Sequence, residues 1–128
     1  MAKYLLVMIG GALGATSRFI VGTIVSRWYS ALFPLGTFAI NVTGSFLIGL
    51  LMMFFLNRPA VNANWRLFLV TGVLGGYTTF SSFEWEAFAA IRGGAGLVAF
   101  LYLVSSVVLG LCGVWTGAML SNRIFPQG

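Results

Sequence analysis

The sequence predicts an all-α membrane protein with four transmembrane helices, the third of them broken. Three observations lead there. Hydrophobic residues make up 59% of the chain and charged residues 7%, with a mean hydropathy of +0.99, whereas a soluble domain carries charge on about a quarter of its positions. The 128 residues have room for about four apolar runs of roughly 20 residues with short connections, so one transmembrane domain over residues 1–128 is expected. The third run is interrupted at 73–86 by VLGGYTTFSSFEWE, where adjacent glycines, threonines, serines and two glutamates stand at membrane depth.

The first span runs from about Tyr4 to Val25 and contains Arg18. Its opening, MAKYLLVMIGGALGA, has the layout of a signal peptide, but the apolar pattern resumes after Arg18 as FIVGTIV and reaches membrane length. Ser30, Pro34 and Gly36 mark the following turn. A second span covers about Thr37 to Leu56 and ends at the polar loop NRPAVNANWR. The third covers about Leu67 to Ile91, RGGAG makes the next turn, and the fourth runs from about Leu97 to Leu120. Four spans place both termini on one side of the lipid bilayer.

Composition excludes several chemistries. Histidine is absent and Cys112 is the single cysteine, which removes intrachain disulfides, zinc clusters and histidine acid–base catalysis. No enzyme activity is expected. The net charge of +5 comes from seven basic residues scattered singly along the chain, which reads as charge flanking helix ends rather than a nucleic-acid surface. Lys3, Arg58, Arg66 and Arg123 fall on the terminal side, Arg27 and Arg92 on the other. So weak a positive-inside bias permits insertion in both orientations. Four thin helices also enclose little volume, so a working pathway calls for a second copy. Gly10 with Gly14, Gly72 with Gly76 and Gly113 with Gly117 are small-xxx-small steps suited to such packing, or to packing within one chain.

The polar residues fall on helix faces. Thr37, Asn41, Gly44 and Ser45 share one face of the second span. In the third, Thr79, Ser82 and Glu86 form a polar stripe beside an apolar one of Phe80, Phe83 and Ala87. Tyr102, Ser106, Gly110, Gly113 and Gly117 align along the fourth. Buried hydroxyls and amides need partners, supplied by a neighbouring helix or by a permeating species. Gly75 and Gly76 followed by two β-branched threonines make a poor helix interior and predict a break there, or a simple kink. Unwound backbone at that depth needs protein or an ion to satisfy it.

GGALGATSR, PLGTFAINVTGSFLIG, GVLGGYTTFSSFEWE and LYLVSSVVLGLCGVWTG, in this order, resemble the CrcB/Fluc family of fluoride channels. The most specific element is GGYTTFSSFEWE, close to the family pattern GGxTTFSTFxxE, together with Asn41 in GTxxxN. The resemblance implies an antiparallel, dual-topology homodimer in the bacterial inner membrane. Its two fluoride pores are lined by both chains, a structural sodium ion sits at the centre, and the activity is passive fluoride export giving fluoride resistance. By position, it implies Asn41 as the pore amide, Phe80 and Phe83 as the aromatic pair facing the anion, and Thr79, Ser81 and Ser82 as hydroxyls of the adjoining polar track. Tyr102 and Ser106 match polar positions of the last span, Glu86 is the motif's terminal acid, and the backbone carbonyls of Gly75 and Thr78 would hold the sodium. Ser82 stands where many members have threonine, Gly110 where some have serine, and Glu84 is an extra charge.

The residues suit that ion. Stripping water from fluoride costs tens of kcal/mol in an idealised apolar medium, and amide, hydroxyl and phenylalanine-edge groups are neutral replacements of the right sign. A full positive charge in a narrow pore would trap the anion. Arg18 is therefore assigned a structural or electrostatic role, either drawing anions to a vestibule or pairing with Glu86. A proton-coupled small multidrug-type exporter would want an acid facing a roomy aromatic cavity, yet both acids here sit in the third span. A structural membrane subunit would leave the hydroxyl-rich interruption without a purpose.

Overall fold

A computed structural model describes residues 1–29 and 33–126, and all regular structure among them is helical. Ser30, expected in the first turn, lies outside the described residues. Helix α1 spans Ala2–Trp28 and α2 spans Leu35–Asn57. After a short loop come α3 (Ala63–Arg66), a π-helical stretch Leu67–Leu74 and α4 (Gly75–Tyr77), which run on as one helical rod over 63–77. Helix α5 (Ser81–Arg92) and α6 (Gly96–Ile124) complete the chain. Helices α1, α2 and α6 are each long and apolar enough to cross a membrane, so the protein is a multi-pass membrane protein.

Local chemistry explains most boundaries. Gly36, read from the sequence as part of a turn, is instead helical in the first turn of α2, directly after Pro34, whose missing N–H costs nothing at a helix start. The third segment begins at Ala63 rather than near Leu67, because the Asn62 side chain accepts a hydrogen bond from the Asn64 N–H at 2.9 Å and caps the helix. Between α5 and α6, Gly94 takes φ +81°, a conformation that suits glycine.

Two backbone-to-backbone seams hold the bundle. On the first, Gly10 and Gly14 of α1 lie against the π-helical stretch and α4. A methyl group on Gly10 would come within 2.6 Å of Phe68 O, and one on Gly14 would run into Val73 O. On the second, Gly49 of α2 abuts Val114 O, and Gly117 of α6 abuts Phe46 O. Gly113 also faces Val42 and Phe46 of α2. The three glycine steps are thus used within one chain. Close approach of this kind lets dispersion and interhelical polar contacts act where lipid removes the hydrophobic drive between helices.

Interruption of the third segment falls later than the glycines suggest. Gly75 and Gly76 are helical, and Gly76 serves the first seam, against Gly11 and Ala15. Helical structure lapses at Thr78–Phe80, where Thr78 is extended at φ −79°, ψ 157°. β-branched Thr78 and Thr79 resist the helical rotamers, and side chains from elsewhere take over the backbone groups released there.

Candidate functional site

The face of α2 carrying Thr37, Asn41, Gly44 and Ser45 meets the interrupted segment. Asn41 Oδ1 accepts the Thr79 N–H at 2.9 Å, and Asn41 Nδ2 donates to Thr79 O at 2.9 Å. One amide therefore replaces both helical partners of Thr79, and Thr79's own donor and acceptor dictate its orientation. The Nδ2 group keeps a second N–H with no partner among the described residues. Gly44 lets Thr78 in, since a methyl group there would collide with Thr78 Cγ2.

Three consecutive residues at the interruption, the last of α4 and the first two beyond it, are held from other helices. The Tyr77 hydroxyl lies 3.0 Å from Thr43 Oγ1, Thr78 O accepts from Arg18 Nη1 at 3.3 Å, and Thr79 has its Asn41 clamp. Thr79 then starts the next helix. Its hydroxyl donates to Ser82 Oγ at 3.0 Å and accepts the Ser82 N–H at 3.3 Å, the spacing of an N-cap. The polar stripe of Thr79 and Ser82 is thus a bonded pair.

Glu86 lies apart from both. Its Oε1 accepts from Thr37 Oγ1 and its Oε2 from the Tyr102 hydroxyl, each at 2.7 Å, which joins α2, α5 and α6. The alternative in which Arg18 pairs with Glu86 is set aside by this geometry: the guanidinium ends on Thr78 O, while the Glu86 carboxyl turns to Thr37 and Tyr102.

Phe80 and Phe83 come together with ring centroids 5.9 Å apart, yet in different settings. Phe83 is 7% exposed and packs with Ala87 against Tyr102, centroids 5.0 Å apart. Phe80 precedes α5 and is 70% exposed. The expected stripe of Phe80, Phe83 and Ala87 therefore divides at the start of α5.

A cavity of about 340 Å³ opens at the interruption. Its polar wall includes Asn41, Ser45, Thr78, Thr79 and Ser106, its apolar wall includes Phe80 and Phe83, and none of its lining side chains is charged. Ser106 Oγ is buried without a hydrogen-bond partner among the described residues. Of the remaining expected pore residues, Ser81 is exposed, Ser82 is tied to Thr79, and Tyr102 is fully buried beneath Glu86; these three lie outside the cavity lining. The Thr43–Tyr77 contact was not foreseen, although Tyr77 sits inside the GGYTTF run that drew attention.

A helical, multi-pass membrane protein with uncharged donors and aromatic rings around an open cavity is of the class that carries small solutes across bilayers. The chain belongs to the CrcB family: the family model described as CrcB-like protein, Camphor Resistance (CrcB), matches residues 5–118. Among its relatives is the fluoride-specific ion channel FluC of Solibacter usitatus, 47% identical over 94% of this chain and 99% of that protein. The FluC of Acidobacterium capsulatum is 48% identical over 95% and 98%. FluC 2 of Nitrobacter hamburgensis is 49% identical over 95% and 98%.

Proposed function

We propose that this protein is a passive, fluoride-selective channel of the bacterial inner membrane, letting fluoride leave the cytoplasm and so conferring fluoride resistance. The observation that carries this reading is the uncharged cavity. It offers the spare Asn41 N–H, the unpartnered Ser106 hydroxyl and two phenylalanines to an anion, and no charged side chain to trap it. The names of the relatives agree with it. Thr79, Ser81 and Ser82 continue the route as a hydroxyl track.

In this reading the chain crosses the membrane four times, its third crossing interrupted at Thr78–Phe80, and works as an antiparallel homodimer inserted in both orientations. Phe80, exposed in the single chain beside an open cavity, suits a pore completed by the second copy. Sodium fits the interruption in part. The Thr79 N–H that a continuous helix would aim at Gly75 O goes to Asn41 instead, so Gly75 O is released for a cation. Thr78 O is released too but already accepts from Arg18. Such an ion would be held by Gly75 and Thr78 carbonyls and would steady the junction between two copies.

Purified protein in liposomes is expected to release trapped fluoride passively, with chloride far behind and no requirement for a proton gradient, as read by a fluoride electrode. Efflux that needs a pH gradient, or extrusion of a lipophilic cation, would point to the exporter class instead. Dual topology has its own check. Single cysteines replacing Arg27 or Arg92, in a Cys112→Ala background, should be labelled from both sides of the membrane in intact cells; labelling from one side alone would exclude it.

A further inference from the structure

Arg18 lies well inside α1, at a depth where a guanidinium is costly unless it finds acceptors. Gly10, Gly14 and Arg18 recur every four residues and so share a face of the helix. The two glycines bring that face into backbone contact with the π-helical stretch and α4; a methyl group on Gly14 would stand 2.8 Å from Tyr77 N. One turn further, the same face delivers the Arg18 Nη1 to Thr78 O at 3.3 Å. This carbonyl has lost its helical donor, because the Ser82 N–H four residues on is bound to Thr79 Oγ1. Arg18 itself does not line the cavity.

We infer that Arg18 is a positioning residue: by anchoring the Thr78 carbonyl from α1, while Asn41 anchors Thr79 from α2, it fixes the extended backbone that presents Thr79 and the Phe80 ring to the cavity beside the Asn41 amide. Each hook alone leaves a rotation free. Without Arg18 the Thr78 carbonyl would be free to turn towards other donors, and Thr79, one peptide away, would turn with it. A guanidinium is suited to the task, since it stays charged and offers its donors in a rigid fork. The inference concerns how the cavity is held, and its consequence for flux rests on the channel reading above.

Two measurements on the full-length, assembled protein test it. In amide hydrogen exchange read by mass spectrometry, Arg18→Gln is expected to speed exchange in the peptide over 75–82 by about tenfold or more, leaving α6 unchanged, because local opening sets the exchange rate. Arg18→Lys, which keeps a charged donor, should restore protection to within about threefold of the parent. In fluoride efflux, Arg18→Gln is expected to lower the maximal rate by about tenfold while the half-saturating fluoride concentration stays within about twofold, the pattern of misplaced groups rather than weakened attraction. A rise in half-saturating fluoride with the maximal rate recovered would make Arg18 an anion-attracting charge and overturn the inference. Unchanged exchange over 75–82 would overturn it as well. Should Arg18→Gln not assemble, Arg18→Lys decides: an assembled lysine variant with an unprotected 75–82 peptide refutes the role, and a protected one supports it. If the parent itself carries no fluoride, the channel reading falls while the exchange result still judges Arg18.

Discussion

Asn41→Asp is expected to abolish fluoride efflux. The substitution changes volume little but alters both functions of the amide. Toward the backbone, Oδ1 can still accept the Thr79 N–H, whereas the group that donated to Thr79 O becomes a second acceptor. A part-buried carbonyl left facing a carboxylate loses its hydrogen bond at a cost of about 1–3 kcal/mol, and the interruption loosens on that side. Toward the cavity, the spare N–H is replaced by negative charge. At an effective dielectric of about 20, two like charges about 4 Å apart repel by roughly 4 kcal/mol, roughly a thousandfold in occupancy. The measurement is electrode-detected efflux from liposomes, made on protein that elutes at the parent's oligomeric size. Efflux at the parent's rate would remove Asn41 from the pathway.

The second large effect is expected from the phenylalanines. Phe80→Ile and Phe83→Ile should each lower flux by about tenfold or more, because an aliphatic side chain fills space without the positive ring edge that compensates a partly dehydrated anion. The structure separates the two variants. Phe80 is largely exposed within the single chain, so its replacement should leave the chain's own packing within about 0.5 kcal/mol of the parent, as for surface changes generally. Phe83 is packed against Tyr102 and Ala87, so its replacement should also destabilise the protein by about 1–3 kcal/mol through lost ring contacts and imperfect filling. Leu97→Ile, at a position 72% exposed and outside the cavity, is the control expected to match the parent in both measurements. If both phenylalanine variants assembled and conducted like the parent, the aromatic wall would have no part in conduction.

Much of this molecule is legible in its amino-acid order. Hydropathy and length mark α1, α2 and α6, and glycine and proline mark the loops, because bilayer thickness and backbone hydrogen bonding allow few alternatives to apolar helices. Periodicity likewise places Thr37, Asn41, Gly44 and Ser45 on one face of α2, and Tyr102, Ser106 and Gly113 on one face of α6; Thr37, Asn41 and Tyr102 meet hydrogen-bond partners there, while the Ser106 hydroxyl is left to the cavity. That the third segment is unsettled near residues 75–79 also follows from composition, since glycine and threonine both weaken a helix.

Tertiary structure alone decided what each polar group does. A helical period states which way a side chain points and is silent about what waits there. The Asn41–Thr79 clamp joins residues 38 apart in sequence, the Thr37–Glu86 bond 49 apart, and the Arg18–Thr78 bond 60 apart. Each depends on two helices meeting at one register, which the glycine seams set to within an atom's width. The same cause moved the interruption from the glycines to Thr78–Phe80. Gly75 and Gly76 are individually the weaker helix formers, but α1 needs Gly76 helical for close approach, while Asn41 and Arg18 offer Thr79 and Thr78 substitutes for the hydrogen bonds a helix would have supplied. Local propensity therefore determined that a helix would fail in this stretch, and long-range hydrogen bonding chose the residue at which it does.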